Sequence, residues 1–307
     1  MPRQRRLLAS IATAGLLAAG CGTGQPGAAA VVGDTRIPVD QVQSWFTEVL
    51  AKEPGLKDQL RQQGQLDDVG RRLASFTVQH ELIRQTAQAE GLQVDEARVT
   101  RAIDEMGGPQ AATQGTVFTP ENLRDSARLQ LLTGELARKY VDRLSITIDY
   151  TQAGTRGEAE AKARQLAQGP EQAEALIAAD RAAGLRAVSG EQVWAGDQGA
   201  QMASETPLFG TPAGSAVAFE LQPQSGQWLV ALVRKRDTTT PAPVQVAGRL
   251  DDPTLQKIGA KLVGITADRV GVQLSPRYGV WDPVALSAAP NANETVGFAI
   301  AGPPPAS

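Results

Sequence analysis

Apolar and near-apolar residues recur through residues 66–106 in steps of four and three. Val69, Leu73, Phe76, His80, Ile83 and Ala87 form one stripe of an α-helix running about six turns. Asp67 and Asp68 suit the positive end of that helix. Gly91, without a Cβ, enters the left-handed cap that ends it. A second helix follows, with Asp95 as N-cap and Val99, Ile103 and Met106 inward. The pair predicts an αα-hairpin whose apolar face other elements must cover.

The same period predicts a helix after Pro38 with Val42, Trp45, Phe46, Val49 and Leu50 inward, stopped at 53–55. Another runs over about 119–144, opened by Thr119 and Pro120, with Leu123, Ala127, Leu131, Leu132, Leu136 and Tyr140 inward. Residues 29–37 read as a short strand with a Gly-Asp turn, and 107–116 as a linker. From 145 the texture changes. Strands are expected at 145–150, 191–194, 214–219 and 227–233, with Ala/Glu-rich helices at 157–168 and 171–183. That is a small α+β unit over 145–236. A further helix at 253–263 and a strand at 269–274 follow.

Two lone strands, one near each end of this pattern, would leave backbone groups unpaired. Pairing them satisfies both and makes the helical domain discontinuous, 29–144 plus 245–285. The expected fold class is α+β: a mainly helical domain closed by a C-terminal helix and strand, with a small α+β domain inserted. Residues 286–307 are Ala, Pro, Asn and Gly with few anchors, and are expected to be a disordered tail.

Residues 1–20 stand apart from this pattern. Arg3, Arg5 and Arg6 precede an apolar run over 7–19, about 20 Å as a helix and too short to span a bilayer comfortably. It ends in small residues before Cys21, the only cysteine. This is the pattern of a secretory signal peptide. Leu17-Ala18-Ala19-Gly20-Cys21 resembles a bacterial lipobox, in which Cys21 is lipidated (palmitate among the acyl groups) and becomes the new N-terminus, followed by a flexible tether over 21–28. The leucine stands one place earlier than usual. The expected location is the extracytoplasmic face of the cell membrane.

Removing residues 1–20 leaves 27 basic and 33 acidic residues, a formal charge of −6. The remaining basic residues are dispersed, which argues against nucleic acid as a partner. Gly22-x-Gly24-x-x-Gly27 formally matches a dinucleotide fingerprint, but no strand precedes it and Pro26 interrupts it, so no nucleotide is expected. One histidine and one cysteine do not make the usual zinc sets, and no cofactor is expected. Asp67-Asp68 and Asp251-Asp252 read as helix starts and solvated turns rather than an acid–base pair. His80 reads as a core or core-edge histidine, with a pH-responsive role as the alternative. Trp45, Trp194, Trp228 and Trp281, scattered singly, read as core.

Three stretches together resemble a known family: AAVVGDTRIPVDQV, HELIRQTAQAEGLQVDEARVTRAI and VQLSPRYGVWD. They resemble the SurA/PrsA group of exported chaperones, particularly the actinobacterial lipoproteins with a SurA-like N-terminal domain. The resemblance covers about 29–144 and 253–282. It implies an ATP-independent chaperone whose partners are unfolded or partly folded exported proteins. It also implies a parvulin-type prolyl isomerase domain at 145–236. Active parvulins carry histidines on the first and a late strand; here ITIDYT and QWLVALV have none. Isomerisation by this domain, and a non-enzymatic lipoprotein holding one envelope partner, are the alternatives.

Overall fold

The structure, a computed structural model, describes residues 26–196, 199–222 and 225–302. The signal segment, Cys21 and most of the tether therefore lie outside the described residues. A hairpin comes first, β1 (Ala28–Val32) and β2 (Thr35–Pro38), folded back at Gly33 and Asp34. Six helices follow: α1 (Val39–Ala51), α2 (Leu56–Gln62), α3 (Leu66–Glu90), α4 (Glu96–Glu105), α5 (Gly108–Thr113) and α6 (Pro120–Tyr140). Local chemistry sets their ends. Asp67 and Asp68 occupy the first turn of α3, and Gly91 caps it in the left-handed region at φ 65°. The Asp95 carboxylate accepts from the Ala97 amide at the start of α4, 2.9 Å away. Thr119 and Asn122 form a reciprocal capping box ahead of α6.

The middle of the chain builds β3 (Ser145–Ala153), α7 (Arg156–Leu166), α8 (Pro170–Ala182), β4 (Val188–Trp194), α9 (Ala200–Glu205), β5 (Ala216–Glu220) and β6 (Trp228–Asp237). It then continues through α10 (Asp252–Leu262), α11 (Gly264–Val270), β7 (Val272–Leu274), β8 (Val280–Asp282), β9 (Ser287–Ala289) and β10 (Gly297–Ile300). The architecture is α+β, with every strand pair antiparallel. One sheet has the order β2-β1-β7 and another β10-β5-β6-β3-β4, with β8-β9 as a separate hairpin. The early strand does pair with the late one: Ala30 faces Leu274 and Val32 faces Val272. The late strand is shorter than the alternation over 269–274 predicts, because 264–270 is helical.

Several expectations are corrected. The tail expected to be disordered over 286–307 is structured in its described part, through residue 302. Its strand β10 extends the five-stranded sheet to the outside of β5, so that sheet is not confined to 145–236. Small residues are what this pairing needs. A Cβ on Gly297 would lie 2.4 Å from the Ala218 carbonyl oxygen. Asp282, buried, accepts from the amides of Val284, Ala285 and Val296 at 2.9, 3.0 and 2.6 Å. Arg156 donates to the carbonyls of Ala292 and Thr295 and stacks over Trp228 and Phe298. The stretch read as a linker over 107–116 holds α5.

The five-stranded sheet is covered on both faces along β3, β5 and β6, while its edge strand β4 is largely exposed. Ala216, Ala218, Trp228 and Val230 lie under Ala159, Ala163 and Leu166 of α7 and Leu176 of α8. The opposite face offers Ile146, Ile148, Val217, Phe219 and Val233 to a cluster that continues through Leu73, Leu82, Leu136 and Ile258. The helical part and the sheet thus share one core. On the other face, under α7 and α8, Thr151, Asp180 and Lys162 form a buried polar chain, with Asp180 accepting from Thr151 at 2.5 Å and from Lys162 at 2.9 Å. Those two acceptor contacts and the Gln152 carbonyl (2.8 Å) satisfy the charges that burial would otherwise penalise.

Candidate functional site

The apolar stripe of α3 is turned from where its periodicity puts it. The fully buried positions are Leu73, Val78 and Leu82, joined by Thr77 and Thr86. Phe76, His80 and Ile83 are only half-buried and line an open groove of about 520 Å³. Their spacing of four and three puts them one above another on a single face. Helix α6 forms the facing wall with Leu123, Ser126, Ala127 and Gln130, again at helical spacing. Helix α10 contributes Pro253, Gln256, Lys257 and Ala260. Met106, expected inward, is 45% exposed and stands on the rim with Phe118.

The helices that frame the groove are seated against each other backbone to backbone. A Cβ on Gly259 of α10 would lie 1.7 Å from the Thr133 carbonyl oxygen of α6. Gln130 and Gln256 bridge the two helices at 2.7 Å. The remaining wall, residues 113–118, is held by two side chains of α1 and its C-cap. Trp45 donates its indole N–H to the Val117 carbonyl at 2.7 Å. Lys52 donates to the carbonyls of Thr113 and Thr116, both 2.9 Å away, and to that of Phe118. Burial pushes the Lys52 ammonium below its ordinary value, with Glu53 opposing.

His80 belongs to an aromatic group at the groove's inner edge. Its ring centroid is 6.1 Å from that of Trp45 and 6.5 Å from that of Phe76, and Phe76 is 5.4 Å from Phe118. Burial lowers its pKa to about 4, against a smaller upward pull from Asp125 and a smaller downward push from Arg84. It is therefore neutral at ordinary pH. His80 makes no hydrogen bond among the described residues, and the Ser126 hydroxyl is buried without a partner. The groove can thus take an apolar body beside the His80 ring, while the Ser126 hydroxyl is sealed beneath its wall.

Other expected features fall elsewhere. Among the described residues no His, Cys, Asp or Glu cluster could hold a metal, and no helix is long and apolar enough to cross a membrane. Asp67 and Asp68 sit at a helix start, and Asp251 caps α10 through the Thr254 amide at 2.9 Å. Trp45 and Trp228 are buried, whereas Trp194 and Trp281 are half-buried. No histidine stands on any strand of the five-stranded sheet. Sequence reasoning missed Ser126, Lys257 and Lys52. Only Ser126 carried a signal, as the polar residue inside an apolar face of α6. The chain matches no protein-family model and no curated protein.

Proposed function

We propose that the protein is an ATP-independent chaperone that holds apolar segments of unfolded or partly folded exported polypeptides in the groove between α3, α6 and α10. We read its arrangement as SurA-like, with the helical part closed by the returning α10 and β7 and the sheet inserted between. A lipid on Cys21 would tether it at the extracytoplasmic face of the membrane. The observation that carries this reading is the groove itself, about 520 Å³ of largely apolar wall left open beside a closed core. Large exposed apolar surface rimmed by polar residues is the usual mark of a binding site. Holding needs no nucleotide: apolar contacts at many points are individually weak and release as the client buries its own surface.

The test uses the chain from Gln25 onward, mixed with several unrelated, chemically unfolded proteins while light scattering is followed. Suppression of aggregation near stoichiometry is expected. Absence of suppression at large molar excess overturns the proposal, and a lipoprotein with one fixed partner becomes the better account.

A further inference from the structure

Among the described residues, Lys261 is the one lysine that is neither exposed nor joined to a hydrogen-bond acceptor or counter-ion. It stands in the last turn of α10. Burial pushes its ammonium below its ordinary value, against a smaller upward pull from Asp282. The Asp282 carboxylate is committed to three backbone amides and forms no ion pair with it. An amine held away from water without an acceptor favours its neutral form, which is the nucleophile.

Lys261 and Leu286 both line two neighbouring cavities, of about 170 and 140 Å³. Leu286 is buried, and its backbone is left-handed at φ 53°, a strained state for a large side chain. Strain of that kind clusters where a structure clasps a ligand. Val217, Ala267, Trp281 and Val284 give the larger cavity an apolar wall. Its size is close to the roughly 150 Å³ that takes one benzene ring. The other charged residue on that wall, Asp268, is exposed and forms no ion pair with Lys261. With Asp268 on the wall and Asp282 in electrostatic reach, an anion is poorly received, whereas a neutral carbonyl compound meets no such repulsion. We propose that Lys261 is a covalent modification site for small apolar aldehydes, whose hydrocarbon part sits in this cavity. The amine adds to the carbonyl carbon and a C–N bond forms. The resulting carbinolamine then loses its oxygen as water, which carries off both amine hydrogens and leaves an imine. The inference needs the cavity and not the groove, so it stands apart from the chaperone reading.

The test treats the full chain at mildly alkaline pH with limiting benzaldehyde and cyanoborohydride, which reduces the imine to a stable amine. Peptide mass spectrometry reads the label on each lysine. Lys261 gains the benzyl group roughly tenfold faster than the exposed Lys57 and Lys257, because the cavity holds the aldehyde beside it. Toluene, an unreactive occupant of the same size, removes that advantage without slowing Lys57. Labelling of Lys261 no faster than that of Lys57, or an advantage that toluene leaves intact, overturns the inference.

Discussion

Helix α3 carries two apolar faces, and they meet different fates. Leu73, Val78 and Leu82 are sealed in the main core, and α1, α6, β1, β9 and α11 all contact their helix. Phe76, His80 and Ile83, only one to three residues away along the helix, look into a groove. Their side chains are no less apolar. What differs is the partner: α6 and α10 are seated against each other through Gly259 and stand as walls on this side of α3, with a groove left between them. Burial is decided by what arrives to cover a face, and a chain can keep an apolar face open by committing its neighbours elsewhere.

The sharpest way to break that arrangement is Gly259→Leu. The new side chain needs α10 to move off the Thr133 carbonyl, so the stability loss should exceed about 4 kcal/mol, read by urea denaturation. Next come paired substitutions on the two sides of α3. Leu82→Ala removes a buried side chain and should cost about 3 kcal/mol. Met106→Ala, at the rim of the groove, should shift stability by less than about 0.5 kcal/mol while weakening the suppression of aggregation. Equal stability losses in the two would erase the distinction between closed and open faces. A separate lever on the open face is pH. His80 titrates at about 4 in the folded chain and at 6.5 when unfolded, so the unfolded state binds more protons between those values. Its stabilising contribution is complete above pH 6.5 and declines toward pH 4, by about 3 kcal/mol, and His80→Leu should flatten the slope in that window.

Much of this fold is legible in the residues. The start and cap of α3, the following hairpin and the succession of strands and helices over 145–236 all follow from local chemistry. The pairing of β1 with β7 follows from asking where unpaired strands could go. The facing of α3 is harder to read, and Thr77 and Thr86 show why. They count as polar in any apolar pattern, yet their hydroxyls donate to the Leu73 and Leu82 carbonyls at 2.7 and 2.8 Å and so pass into the core. Thr86 also meets Thr266 at 2.7 Å. Discounting them turns the stripe toward Phe76 and His80. The tail was hidden for another reason. β10 is held by backbone pairing and by Asp282 and Arg156, none of which needs a run of large apolar residues. The groove was invisible because its walls come from helices far apart in the chain.

The register joining Ala30 to Leu274 also bears on how the molecule assembles. Strand β1 can fold back on β2 as soon as both exist, but its other edge stays open until nearly the whole chain has been made. Contacts so distant along a chain are slow to form, because loop entropy is lost before they return any stabilisation. The first hairpin is thus an early element with a late partner. Until residue 274 arrives, the molecule exposes an unpaired apolar edge of its own, the kind of surface that draws other chains into aggregation.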